Sequence, residues 1–128
     1  MDEFTIHIPR ERPFSAVADL VVGGIAARHD VTLDVLDDVQ LALDSLLEHD
    51  EADEREVSIV LRVADDIFEA TVGPFAAATA AALEEEAGTG IGLRRLLETT
   101  MDSVTVTERD GGAFVELRKG YALAGTET

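Results

Sequence analysis

The sequence predicts an α+β fold: a two-layer α/β sandwich with helices on one face of a mixed, mostly antiparallel sheet. Apolar and polar residues alternate over 4–8, 57–63, 68–72, 104–106 and 114–117, the period of half-buried strands. Apolar residues recur at helical spacing over 14–29, 32–49 and 93–101. Turn residues, Asp65-Asp66 and Arg109-Asp110-Gly111-Gly112, join strands adjacent in sequence, which sets those pairs antiparallel. The order is β-α-α-β-β-(lid)-α-β-β, with residues 75–87 at the lid position. A chain of 128 residues suits one domain, here residues 1–120, with 121–128 as an unpatterned, disordered tail.

Each element has its own reason. Phe4, Ile6 and Ile8 alternate with Thr5 and His7 as a first strand, and Pro9 and Pro13 bracket the turn after it. Val17, Leu20, Val21 and Ile25 mark the apolar stripe of a first helix. Gly23-Gly24 weakens that helix by about 1 kcal/mol per glycine, which a close helix-to-sheet contact would justify. Thr32 reads as the N-cap of a second helix with the stripe Leu36, Val39, Leu43, Leu46 and Leu47. Asp34, Asp37, Asp38 and Asp44 fall on its wetter side, and acid in its first turn suits the helix dipole. Val57 to Val63 and Phe68 to Val72 form a hairpin that Gly73-Pro74 stops. Residues 75–87, rich in alanine and ending in Glu84-Glu85-Glu86, are helix-prone with little to bury. A third helix and a closing hairpin follow.

Composition excludes several functions. The chain has 27 acidic and 10 basic residues, a formal charge of −17. That opposes nucleic acid and anionic membrane surfaces, both of which need clustered Lys and Arg. It allows a protein partner with a basic face. Without cysteine there is no disulfide, thiol catalysis or Cys-ligated metal. The start, Met1-Asp2-Glu3-Phe4, lacks the pattern of a signal peptide, and no apolar run is long enough to span a bilayer, so a cytoplasmic location is expected.

One stretch has the form of a ligand cradle. In Gly88-Thr89-Gly90-Ile91-Gly92-Leu93, alternate glycines open directly onto a helix. Such a turn bends tightly and aims free N–H groups and a positive dipole end at the space before it. Phosphate fits there. The stretch is not a dinucleotide fingerprint, since no strand runs into it, and not a Walker A loop, since no Lys-Ser/Thr pair follows. No acidic run has the Asp-x-Asp-x-Asp-Gly spacing of a calcium loop.

The element order, the helix segment Leu36-Asp37-Asp38-Val39-x-Leu41-Ala42-Leu43, the glycine turn and the closing Met101-Asp102-Ser103-Val104-x-Val106 resemble the anti-sigma factor serine kinases. These belong to the GHKL superfamily of histidine-kinase-like ATPases, which share the Bergerat fold. The resemblance spans residues 2–119. It implies a small cytoplasmic bacterial regulator, often a homodimer, that binds a sigma factor and phosphorylates a STAS-type antagonist with ATP and Mg²⁺.

The resemblance also locates the family's working residues, and most are replaced. A general-base Glu and a magnesium-holding Asn, four apart on the second helix, fall at Ser45 and His49. Serine does not accept a proton near neutral pH, and imidazole is a poor ligand for a hard ion that prefers oxygen. The Asp of Asp-x-Gly-x-Gly, which accepts the adenine amino proton, falls at Thr71 if Gly73 is the motif glycine, or at Pro74 if the register slips. Only the glycine turn, Gly88 to Leu93, is kept. The resemblance with these losses implies an anti-sigma-like binding protein with lost or weakened nucleotide binding. No cofactor is expected, ATP and Mg²⁺ entering only if the altered site still binds them. The alternative is an active serine-protein kinase. By family analogy, Arg10, Arg12 and Arg28 around the first helix would meet the partner.

Overall fold

The computed structural model describes residues 2–9, 12–49, 56–64, 66–75, 80, 81, 83, 84, 92–109 and 112–120. The side chains of 12–15, 48, 49, 93 and 109 lie outside that description. In chain order the elements are β1 (Asp2–Pro9), α1 (Arg12–Arg28), α2 (Leu33–His49), β2 (Glu56–Val63), β3 (Ile67–Phe75), α3 (Gly92–Thr100), β4 (Ser103–Arg109) and β5 (Gly112–Gly120). Type and order match the periodicity throughout.

The strands make one sheet in the order β1-β2-β3-β5-β4. All four pairings are antiparallel, so the mixed sheet expected from sequence is replaced by a uniformly antiparallel one among the described strands. Connectivity explains this. The helix pair α1–α2 carries the chain away from the sheet edge and back, so β2 returns against β1. The other two sequential pairs are hairpins. β3 and β4 run the same way, but β5 lies between them.

The helices share one core with one face of the sheet. Ala18, Val22 and Ile25 of α1, Val39, Ala42, Leu43 and Leu46 of α2, and Leu97 of α3 meet Val57, Ile59, Leu61, Val63, Phe68, Ala70, Val72, Val115 and Leu117. The other face is polar. There Glu3, Arg62, Glu69 and Arg118 stand in one row across β1, β2, β3 and β5. The row alternates in sign, with Arg62 Nε 2.7 Å from Glu3 Oε2 and Arg118 Nε 3.2 Å from Glu69 Oε2. Such exposed pairs each add less than about 1 kcal/mol. They favour the correct register, because a slip by one residue would turn charges into the core.

Caps fall where the local chemistry supplies them. Val35 N donates to Thr32 Oγ1 at 3.4 Å, the expected N-cap of α2. Asp30 at φ 55° ends α1, and Val31 N donates back to Ala26 O at 3.0 Å. At the far end, Asp102 Oδ2 accepts from Gly120 N at 2.7 Å, and Lys119 Nζ lies 3.1 Å from Asp38 Oδ2.

Four expectations are corrected. The buried stripe of α1 is Ala18, Val22, Ile25 and Ala26, while Val17 and Leu20 are exposed. Between Ala16 and Ala27 the helix has one polar side chain, Asp19, so its sequence scarcely marks a solvent side. Among the described residues, Gly23-Gly24 makes no close contact with the sheet: a Cβ on Gly23 would meet Gln40 Nε2, at 3.9 Å, and one on Gly24 nothing within 4 Å. β3 does not stop at Gly73-Pro74 but continues to Phe75, because its register against β5 shifts between Val72 and Phe75 and a bulge needs no ladder donor from proline. Of the described residues within 75–87, Phe75, Ala80 and Leu83 are buried, so the segment does have side chains to bury.

Candidate functional site

The residues singled out from sequence fall on two parts of the fold. The first is the group of motif positions on α2, β3 and the start of α3. Ser45 is buried on α2, 7 % exposed, on the turn that also carries the core residues Leu43 and Leu46. His49 is the last residue of α2, and its side chain lies outside the described residues. Gly88, Thr89, Gly90 and Ile91 lie outside them too. Gly92 begins α3 at φ 84°, a conformation that suits glycine, and Leu93 follows within the helix. A helix therefore begins at Gly92, the last glycine of that stretch, as expected.

The β3 positions that the resemblance would assign to adenine do not gather around α2. Thr71 is half-buried between Ala70 and Val72, whose side chains enter the core. By alternation Thr71 points to the opposite, open face, in the row with Val60 and Glu116. Ser45 and Thr71 thus lie on opposite sides of the sheet. Gly73 is tightly enclosed, since a Cβ there would lie 2.6 Å from Phe114 Cδ2 and 2.8 Å from Ala113 O. Packing between β3 and β5 by itself requires glycine at this position.

The second part is α1. Arg10 and the Arg12 side chain lie outside the described residues, and Arg28 is exposed at the helix end. Beside it His29 Nε2 lies 3.0 Å from Asp2 Oδ2, tying the helix end to β1. The outer face of α1 is apolar: Ala16, Val17, Leu20, Gly24 and Ala27 are all exposed. Leu20 is 76 % and Val17 41 % exposed. On α2, Leu41 is 46 % exposed as well. The helical spacing of Val17 and Leu20 predicts a core position for both. Large aliphatics at helical spacing are the usual mark of a buried face, and only the packing shows that this face was left out.

A third feature has no counterpart in the sequence reading. Asp19 of α1 and Asp44 of α2 bring their carboxyl groups next to each other where the two helices pack. Asp44 was expected on the wetter side of α2 and is instead half-buried. Burial raises the pKa of Asp19, with the bond to Asp44 opposing the shift. The one sequence signal was a lone acid in an otherwise apolar helix.

Among the described residues, no group of three or more His, Cys, Asp and Glu side chains could hold a metal ion. None of the described helices is long and apolar enough to cross a membrane. No family model matches the chain, and a search of curated proteins finds no match.

Proposed function

We propose that this protein is a regulatory binding module of the anti-sigma type, built on the histidine-kinase-like ATPase fold, which acts by docking on a sigma factor, a STAS-type antagonist or both. The observation that carries the reading is the exposed apolar face of α1, with Leu20 at its centre. An exposed leucine flanked by Val17, Ala16 and Gly24 adds nothing to the core and suits burial against another protein. The charge of −17 favours a partner with a basic face, as DNA-binding proteins have. The altered motif supports binding without turnover: a buried serine stands where the family has its general base, and Thr71 faces away from α2. A triphosphate in this acidic chain would lack compensating charge.

Two measurements test this. Purified sigma factors and STAS-domain proteins from the same cell are titrated against the full chain, wild type and Leu20→Asp. At least one should bind, and L20D should weaken it by tenfold or more while circular dichroism stays unchanged. Thermal melting with millimolar ATP and Mg²⁺ should show no magnesium-dependent rise. A clear rise would favour the kinase instead, and absence of binding by every candidate would remove the docking reading.

A further inference from the structure

The outer sides of α1 and α2 form one surface. Among the described residues, the exposed large hydrophobic side chains are Val17, Leu20, Leu33 and Leu41, and all four belong to these two helices. The helices meet where Gln40 Nε2 donates to Asp19 O at 3.0 Å. Leu20 and Leu41 each follow one of those two contact residues, so each is turned about 100° from the seam. Both are exposed rather than buried in the core. They therefore stand on either side of the seam, on the face away from the sheet, with the helix axes ~8–10 Å apart.

Each helix continues this surface as a row. On α1 the row is Ala16, Leu20, Gly24 and Ala27, all exposed, over ~16 Å of axis. On α2 it is Leu33, Asp37 and Leu41, also exposed, over ~12 Å. Among the described residues, nothing lies within 4 Å of a Cβ on Gly24, and a Cβ on Gly23 would meet Gln40 Nε2 at 3.9 Å. The glycine pair weakens the helix and serves no close contact with the sheet. On this outer surface it lets a second backbone come near. A row of ~16 Å is three helical turns, and the seam between two packed helices is a groove into which a third can lay its ridges.

Charge selects the kind of helix. From Ala16 to Ala27 no exposed side chain is charged. The described exposed charges of α2 are Asp34 and Asp37, and Asp37 stands between Leu33 and Leu41 in the row. Arg28 and Asp30, exposed between the helices, offset one another in sign. Lys119 lies against Asp38. A second copy of the chain, also at −17, is repelled.

We propose that the outer face of α1 and α2 binds a cationic amphipathic helix of a partner protein. Its apolar residues, at the i, i+3/i+4, i+7 spacing of groove-bound helices, cover Leu20 and Leu41. Its Lys or Arg flank meets Asp34 and Asp37. This rests on the docking role proposed for α1 and extends it to α2 and to one form of partner.

The experiment uses the full chain and three synthetic helical peptides. The first has leucines at that spacing with a lysine flank, the second has glutamate for lysine, and the third has serine for leucine in the lysine peptide. Fluorescence anisotropy gives the affinities, and amide NMR maps the contact. The lysine-leucine peptide should bind about tenfold tighter than the other two and shift the amides of Leu20, Gly24, Leu33 and Leu41. Leu41→Asp and Asp37→Lys should each weaken it by about tenfold, whereas Glu108→Lys, the same charge change on exposed β4, should change it little. Equal binding of any two peptides that include the first, or an E108K effect as large as that of D37K, would overturn the proposal. So would a wild-type dimer that L20D splits, since a second copy would then cover the face. If L41D does not fold, D37K and the peptide comparison decide. Should a sigma factor or STAS protein bind and be weakened by L20D but not by L41D or D37K, this inference falls and the docking reading stands. Should the lysine-leucine peptide bind this face while no sigma factor or STAS protein does, the helix-binding face stands and the anti-sigma assignment falls.

Discussion

Gly73 and Phe114 pack so closely across β3 and β5 that a single methyl group on Gly73 would sit 2.6 Å from the Phe114 ring. The ring could turn, but Ala113 O, 2.8 Å from the same point, belongs to the backbone of β5 and cannot. Gly73→Ala should therefore destabilise the protein by about 1–3 kcal/mol, the cost of overpacking a closed site. Adding Phe114→Ala should recover only part of the loss, because the carbonyl clash remains. Urea denaturation of the three proteins checks this, and full recovery in the double variant would show that the ring alone demands glycine.

Gly24 is the opposite case. It lies inside α1, exposed, with nothing among the described residues within 4 Å of a Cβ position. Gly24→Ala should raise stability by about 0.5–1 kcal/mol, since alanine restricts the unfolded chain and fits the helix. A loss of stability on thermal melting would mean that this face is covered in solution.

Asp102 ties the α3–β4 corner to the end of β5 through its 2.7 Å bond from Gly120 N. Asp102→Ala should cost about 1 kcal/mol, while Asp102→Asn, which keeps an acceptor oxygen, should cost less. Faster amide exchange at Gly120 in the alanine variant is the specific sign. Unchanged exchange would mean that the contact does not persist in solution.

Leu83 is 1 % exposed and belongs to the main core. Leu83→Ala should destabilise the fold by about 2–5 kcal/mol, as for other buried leucines. A cost under 0.5 kcal/mol would show that Leu83 is not held in the core in solution.

Much of the fold was legible because its signals are local. Val57, Ile59, Leu61 and Val63 alternate cleanly and are all buried, as their period requires. Thr32 caps α2 because a threonine before a helical pattern has one nearby use for its hydroxyl. α1 was harder. Its alanines and glycines suit either a buried or an exposed face, so the phase of its stripe was misread. Of the candidate site, Ser45 and Gly73 are singled out only by the resemblance to the kinase family, and Gly92 by the glycine pattern before a helix. That Thr71 lies across the sheet from Ser45 was not legible, because the face a strand residue occupies depends on the layer packed against it.

By itself the sequence determined the type and order of the elements, the two hairpins and the acidity of the surface, all of which follow from short-range period, turn chemistry and composition. Only the tertiary structure decided which face of α1 meets the sheet, that Leu20 is left outside, and that Asp44 is half-buried. Those outcomes depend on how residues far apart in the chain share one limited interior, and no local pattern encodes that competition.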